Sequence, residues 1–166
     1  MENRASEFST KKIATFGILI ALTTVATMII SIPTPTRGYV NLGDSVVMLS
    51  GVMLGPLGGF LVGGIGSALA DLLLGYAYYA PLTFAVKGLE GLIVALVYKK
   101  LLKETKLPVA LVLGGLWMAT GYLIGEIFMW GWPAAIGSFP HNVLQGMVGA
   151  GICYLLYQPV KRFYRD

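Results

Sequence analysis

Long apolar runs, separated by short clusters of proline, glycine and charged residues, make up most of the 166-residue chain. The first apolar run covers residues 13–32 and ends at Pro33 and Pro35. It is too long for the hydrophobic core of a signal peptide, and no small-residue cleavage site follows it. Because about 20 apolar residues are needed to cross the hydrocarbon of a bilayer, this run predicts a membrane-spanning helix.

Five further helices are predicted from the positions of prolines, glycines and charged residues. Each of the eight prolines falls at a proposed boundary, as expected because the ring removes a backbone donor. The predicted helices cover residues 13–32, 44–54, 57–75, 81–102, 108–130 and 140–158. We therefore expect an all-α integral membrane protein, a six-transmembrane-helix bundle that forms a single membrane domain over residues 1–166.

Composition and charge agree with this class and predict an orientation. The chain is 56% hydrophobic and only 12% charged, against about 25% charged in an average soluble domain. With six crossings, all of the 12 basic residues except Arg37 and Lys87 fall on one side. The positive-inside rule then predicts that both termini are cytoplasmic, and the net charge of +4 reflects topology rather than a nucleic-acid partner. An alternative, in which the second segment lies in the interface without spanning, stays open.

Ionisable and amide side chains interrupt the apolar runs of four predicted helices, all in the outer half of the bilayer. These side chains are Asp71, Lys87, Glu90, Glu126, His141, Asn142 and Gln145. A charged group in hydrocarbon costs at least about 2.5–3.5 kcal/mol on insertion scales, so such groups normally face the bundle interior or a watery cavity. Tyrosines and tryptophans rim this region, and an apolar-walled cavity with a few directional polar groups is typical of a small-molecule site.

Each of these residues also has a structural interpretation. Lys87 and Glu90 lie three residues apart on one helix face and can simply neutralise each other. Asp44 precedes an apolar run, which favours capping of the second helix. The aromatic residues suit an interfacial belt equally well. His141 is the single histidine of the chain and offers no metal-ligand set, so no metal site is predicted.

Catalytic motifs are absent from the sequence. It contains no Gly-Xaa-Ser-Xaa-Gly elbow, no His-Glu-Xaa-Xaa-His zinc pair, no dinucleotide fingerprint and no Walker loop. We therefore expect no catalytic residue and no cofactor, and any ATP-driven work must come from a partner. Two other classes of function stay open: an autonomous secondary transporter or channel, and an intramembrane enzyme that uses Asp71, Glu90 or Glu126 as acid–base groups.

The first predicted helix carries a candidate partner surface. Gly17 and Ala21 stand four residues apart, and small residues at this spacing let another helix pack closely. Packing inside the protein's own bundle explains the same spacing equally well.

Five motifs follow one another along nearly the whole chain. They are Val40-Asn41-Leu42-Gly43-Asp44, Leu54-Gly55-Pro56-Leu57-Gly58-Gly59, Gly66-Ser67-Ala68-Leu69-Ala70-Asp71-Leu72-Leu73, Lys87-Gly88-Leu89-Glu90-Gly91 and Asn142-Xaa-Xaa-Gln145-Gly146. In order and spacing they resemble the substrate-binding S components of energy-coupling factor (ECF) vitamin transporters. The resemblance implies a six-helix protein of the bacterial plasma membrane that captures a vitamin from outside. It also implies docking to a transmembrane coupling (T) subunit and two cytoplasmic ATPase subunits.

The same resemblance implies roles for individual residues. Gly17 and Ala21 would meet the coupling subunit, although glycine stands where alanine is commoner. The loop over residues 34–41, with Arg37 and Tyr39, would cover the ligand. The predicted substrate-binding residues are Arg37, Tyr39, Asn41, Asp71, Lys87, Glu90, Glu126, Trp130, His141, Asn142 and Gln145.

Substrate identity is predicted only as a class. Carboxylates, a lysine and aromatic walls favour a compact heteroaromatic ring with hydroxyls, and the closest resemblance is to the pyridoxine and hydroxymethylpyrimidine subgroup. Riboflavin, folate, pantothenate and a queuosine precursor stay open as alternatives.

Overall fold

The computed structural model describes the backbone of residues 10–34, 36–101 and 106–165, with side chains over residues 13–34, 36–99 and 106–162. This part of the chain is helical apart from one short hairpin. The helices are α1 (Thr10–Ile29), α2 (Gly43–Leu74), α3 (Ala80–Leu101), α4 (Leu107–Trp130) and α5 (Trp132–Arg165). Between α1 and α2, strands β1 (Ile32–Pro33) and β2 (Tyr39–Val40) pair antiparallel, with Ile32 opposite Val40.

Four helices are long and apolar enough to cross a membrane, namely Gly43–Leu74, Ala80–Lys99, Leu107–Trp130 and Trp132–Arg162. Helix α1 contributes a shorter apolar stretch, Ile13–Ile29. Large apolar side chains such as Phe128 and Leu155 lie on the outside of the bundle, as expected where lipid replaces water. The protein is therefore an all-helical, multi-pass membrane protein.

The chain reverses direction inside α2. Gly55 has φ 81° and ψ −171°, a backbone conformation that is not helical and that favours glycine. A Cβ placed on Gly59 would lie 2.7 Å from the Cα of Gly51, and one placed on Gly63 would lie 2.8 Å from Cγ1 of Val47. Both pairs are centred on Gly55, so the two halves of α2 pack antiparallel. As a result, both ends of α2 lie at the same end of the bundle.

The described chain has five helices where six were predicted. The predicted helices over residues 44–54 and 57–75 correspond to the two halves of α2, which the non-helical Gly55, next to Pro56, separates. The last helix begins at Trp132 rather than at residue 140 and continues to Arg165. Pro140 and Pro159 therefore lie inside α5 and not at helix boundaries, which membrane helices tolerate because neighbouring groups satisfy the freed backbone atoms.

Glycines let two pairs of helices approach closely. A Cβ on Gly91 of α3 would lie 2.6 Å from the carbonyl carbon of Gly59 in α2. Helices α4 and α5 meet in the same way, since a Cβ on Gly146 would lie 2.8 Å from the Cα of Gly115. Backbones this close leave no room for a side chain, and in a membrane such packing is a main source of helix association. These two glycine contacts, which we call glycine seams, hold α2 to α3 and α4 to α5.

Candidate functional site

A polar cavity of about 20 Å³, measured as the space open to the centre of a water molecule, lies where the β-hairpin meets α1, α2, α3, α4 and α5. Seven of the predicted substrate-binding residues line it, namely Tyr39, Asn41, Asp71, Lys87, Glu126, Asn142 and Gln145. They come from five different elements, and the antiparallel halves of α2 contribute to this arrangement because they bring its two ends together. The predicted convergence of polar residues on one cavity is present in the fold.

The other four predicted residues lie around the cavity but do not line it. Glu90 is buried behind Lys87, with its Oε2 3.5 Å from Lys87 Nζ. Trp130 donates from Nε1 to the hydroxyl of Tyr79 at 3.1 Å. Arg37 is exposed, with its guanidinium 5.5 Å from the centre of the Trp130 ring. His141 is exposed, and its Nδ1 lies 3.2 Å from the carbonyl oxygen of Gly137.

A buried ion-pair cluster forms the floor of the cavity. Lys87 pairs with both Asp44 and Glu90, and all three side chains are at most 2% exposed. Gln145 connects two elements here, because Nε2 donates to Asp44 Oδ2 at 2.7 Å and Oε1 accepts from the backbone N–H of Asn41 at 2.8 Å. A single lysine therefore holds two carboxylates in the interior of the bundle.

The interpretation of Asp44 as a helix cap is wrong. The N-cap residue of α2 is Leu42, and the first backbone N–H of this helix, that of Gly43, donates to the side chain of Asn41 at 2.9 Å. The Asp44 carboxylate points into the bundle, where it contacts Lys87 and accepts from Gln145. Its ion pair with Lys87 joins α2 to α3, because two charges buried in a low dielectric are tolerated only as partners.

The loop over residues 34–41 is tied to the helices by hydrogen bonds. Thr36 Oγ1 donates to Glu126 Oε1 at 2.9 Å and lies 2.8 Å from Ser138 Oγ. From the turn before α3, Tyr78 donates to the carbonyl oxygen of Arg37 at 2.7 Å, and the Tyr79 hydroxyl lies 3.1 Å from the carbonyl oxygen of Thr36. These contacts hold the loop against one side of the cavity.

Two tyrosines present protonated hydroxyls to carboxylates. Tyr39 donates to Asp71 Oδ1 at 2.6 Å, and the Tyr79 hydroxyl lies 3.0 Å from Glu126 Oε1. Burial and the neighbouring carboxylate raise the pKa of each phenol above its ordinary value of about 10. Both phenols therefore remain hydrogen-bond donors at neutral pH.

Several buried polar atoms that belong to lining residues have no hydrogen-bond partner in the described part of the chain. They are Thr27 Oγ1, Ser67 Oγ, Asp71 Oδ2, Glu126 Oε2 and Asn142 Nδ2. Leaving such an atom unpaired costs about 1–3 kcal/mol, so most buried polar atoms in native proteins are satisfied. A concentration of unpaired donors and acceptors around one cavity is what a site for a polar ligand requires.

Sequence reasoning missed several lining residues. The sequence predicts Tyr79 only as part of the aromatic rim. It does not place Tyr122, Thr27, Ser67 or Thr83 among the substrate-binding residues, although all of them line the cavity. The sequence does contain an indication for Thr27, Ser67 and Thr83, since each is a hydroxyl residue within an apolar helix. Thr36 is predicted only as part of the loop over residues 34–41, and nothing in its local sequence indicates its hydrogen bond to Glu126.

The small residues of α1 lie on the surface of the chain. Gly17 and Ala21 are both exposed, and a Cβ on Gly17 would meet nothing within 4 Å. In this conformation the pair does not serve packing within the described bundle. The face is therefore accessible to another protein or to lipid.

Comparison with known proteins agrees with the resemblance drawn from the motifs. A family model described as ECF-type riboflavin transporter, S component, matches residues 7–162. A protein of Pyrococcus woesei, described as an uncharacterized protein in the gap 3' region, is 38% identical over 138 residues, which is 80% of this chain and 93% of that protein. A UPF0397 protein of Streptococcus pneumoniae serotype 19F is 39% identical over 94 residues. That match covers 56% of this chain and half the length of the streptococcal protein.

The family match covers nearly the whole chain and agrees with the apolar helices and the polar cavity. Members of this family are transporter components and not enzymes, and the family implies a vitamin substrate and a membrane-associated energy-coupling module. The chain therefore belongs to the ECF-type riboflavin transporter S component family, as a multi-pass protein of the cell membrane that serves vitamin uptake.

Proposed function

We propose that this chain is the substrate-capture subunit of an ATP-driven vitamin uptake transporter, and that it binds its substrate from outside without chemical change. The observation that carries the proposal is the cavity itself, where seven predicted side chains from five elements surround a group of unpaired buried polar atoms. A ligand that pairs with these atoms recovers the free energy that their burial costs.

The proposed substrate is a small heteroaromatic vitamin or precursor of the pyridoxine or hydroxymethylpyrimidine type. The lining supports a compact ring, because Tyr39 and Tyr122 supply aromatic surface while Asp71, Glu126 and Asn142 supply directional polar groups around it. Riboflavin, which the family description names, is the principal competing ligand.

The proposed topology has six membrane crossings and both termini in the cytoplasm. Two observations support it: the halves of α2 are antiparallel, and the ends of α2 meet at the cavity. The cavity then faces outside, and the basic residues that follow α3 and end α5 face the cytoplasm, as the positive-inside rule requires.

Delivery is proposed to require a transmembrane coupling subunit and two cytoplasmic ATPase subunits. The exposed face of α1 at Gly17 and Ala21 is the proposed docking surface for the coupling subunit. Uptake by this chain alone in proteoliposomes would contradict this arrangement and would favour an autonomous transporter or channel.

Thermal unfolding of the purified protein with a panel of vitamins tests the capture function. A ligand present at 100 times its dissociation constant adds about 2.7 kcal/mol to the free energy of unfolding. The panel contains pyridoxine, hydroxymethylpyrimidine, riboflavin, folate, pantothenate and a queuosine precursor, all without ATP. Absence of stabilisation by every compound, together with no small molecule in the mass spectrum of the purified protein, would refute the proposal.

One variant separates binding from stability. Asn142 Nδ2 has no partner among the described residues, so replacing this residue by the similarly sized Leu removes no hydrogen bond made by that atom. We expect Asn142→Leu to keep the unfolding temperature of the ligand-free protein and to weaken ligand binding. Thr120→Val, on the exposed side of α4, is the matched control that changes neither.

A further inference from the structure

The cavity and its floor carry more negative than positive charge. Four carboxylates and one lysine line the cavity or contact a lining residue, and none of the five is more than 3% exposed. They are Asp44, Asp71, Glu90, Glu126 and Lys87. Arg37 is exposed, with its guanidinium 5.5 Å from the centre of the Trp130 ring, and it is not among the lining residues.

Lys87 does not neutralise the whole site. It is held at the floor by Asp44 and Glu90 on its own side of the cavity. Its Nζ also lies 5.8 Å from the centre of the Tyr122 ring. Asp71 and Glu126 therefore form no ion pair within the described residues.

These two carboxylates share one feature. In each, one oxygen accepts from hydroxyl groups, Asp71 Oδ1 from Tyr39 and Glu126 Oε1 from Thr36. The other oxygen of each, Asp71 Oδ2 and Glu126 Oε2, is buried and makes no hydrogen bond of standard geometry, while the Thr83 hydroxyl interacts with the Asp71 carboxylate as a further donor. Both residues line the cavity.

The free donors and hydroxyls nearby show that the wall is more than a cluster of acids. Asn142 Nδ2, Thr27 Oγ1 and Ser67 Oγ are also buried and unpaired at the same cavity. A buried carboxylate is stabilised far more by a cationic donor than by a neutral one, because the hydrogen bond then also compensates the charge.

We propose, on the basis of the proposed function, that the substrate carries a positive charge: a protonated amine or amidinium-type nitrogen on a small ring, donating to Asp71 Oδ2 and Glu126 Oε2. The ring would lie against Tyr122, and Asn142 would donate to an acceptor on it. An organic cation fits better than a metal ion, because the described residues hold no group of three His, Cys, Asp or Glu side chains placed to bind one.

Two matched ligand pairs test the charge. The first pair is pyridoxamine and pyridoxine, which share a ring and differ by an aminomethyl in place of a hydroxymethyl group. The second pair is hydroxymethylpyrimidine and its counterpart in which an aminomethyl group replaces the hydroxymethyl group. We expect the cationic member of a pair to bind at least about tenfold more tightly to the purified protein by calorimetry, the difference between a charged and a neutral hydrogen bond. Equal affinity, or tighter binding of the neutral member, overturns the proposal.

Variants assign the preference to the two carboxylates. Asp71→Asn and Glu126→Gln keep the size of the side chain and its hydrogen bonds and remove one charge each. Each variant should therefore bring the ratio of the two affinities, cationic ligand over neutral ligand, closer to one. Ser67→Ala is the control, because it removes a neutral hydroxyl from the same wall and should weaken both members of a pair equally. An unchanged preference in both charge variants contradicts the assignment even if the cation binds more tightly.

The panel distinguishes this inference from the function on which it rests. If only neutral or anionic vitamins bind, the charge proposal fails and the capture function stands. If no compound binds and none co-purifies, both fail.

Discussion

Thr36, in the loop between the two β-strands, donates a hydrogen bond of 2.9 Å to Glu126 of α4, although 90 residues separate them. The same hydroxyl lies 2.8 Å from Ser138 of α5. Thr36 is buried, so water does not compete for these bonds. One side chain thus bonds the loop to two helices at the side of the cavity. Glu126 accepts one of these hydrogen bonds and also lines the cavity.

Replacing Thr36 by Val should loosen the loop. The substitution keeps the shape and removes a hydroxyl bonded to a carboxylate, a bond worth about 1.5–3 kcal/mol. We expect bound vitamin to dissociate about ten times faster or more, with little change in association, as measured by stopped-flow fluorescence. Thr120→Val is the control, since its hydroxyl bonds only within α4. An unchanged dissociation rate would mean that the loop does not retain the ligand.

Replacing Lys87 by Met should destabilise the fold. Asp44 and Glu90 would remain buried without their cation, which costs roughly 3–5 kcal/mol. We expect a marked fall in the unfolding temperature in detergent, and Lys99→Met, at an exposed position of α3, should leave it nearly unchanged.

Removing the two carboxylates as well should restore much of that loss. In the triple variant Lys87→Met, Asp44→Asn, Glu90→Gln no unpaired charge remains in the cluster. If the triple variant is no more stable than Lys87→Met, the ion pairs do not account for the effect.

Replacing Gly91 by Ala should disrupt the seam between α2 and α3. The new methyl group would lie 2.6 Å from the carbonyl carbon of Gly59, so the two backbones must separate. We expect a loss of about 1–3 kcal/mol or more, seen as aggregation or a low unfolding temperature. Gly151→Ala is the control on α5, where a Cβ meets nothing within 4 Å. Equal stability of the two variants would exclude close glycine packing.

Replacing Gly17 and Ala21 together by Leu separates docking from folding. Both positions are exposed, and nothing in the described chain lies within 4 Å of a Cβ on Gly17. We expect vitamin binding by the purified variant to be unchanged, while uptake by cells that also express the coupling module stops, because the leucines prevent close helix packing. Gly151→Leu should retain both activities. Loss of folding in the double variant would instead indicate a structural role for this face.

The sequence by itself determined the class of the protein and most of its cavity. Hydropathy is local, so the apolar runs could be identified residue by residue, and the cost of burying charge in lipid indicated that residues such as Asp71, Lys87 and Glu126 face inward. The break in α2 at Gly55-Pro56 could also be predicted, because glycine and proline alter the backbone conformation at their own positions. The start of α5 was not, since helical hydrogen bonding continues through Pro140.

Only the tertiary structure decided which polar groups are partners. The sequence predicts that Lys87 pairs with Glu90, three residues away. In the fold Lys87 also pairs with Asp44, for which the sequence favours a helix cap instead. Thr36 meets Glu126, and Gln145 joins Asp44 to the backbone of Asn41, across separations of 90 to 104 residues. Such contacts depend on the rotation and depth of each helix against its neighbours. Those are set by the glycine seams and by packing of the whole bundle, which no local pattern records.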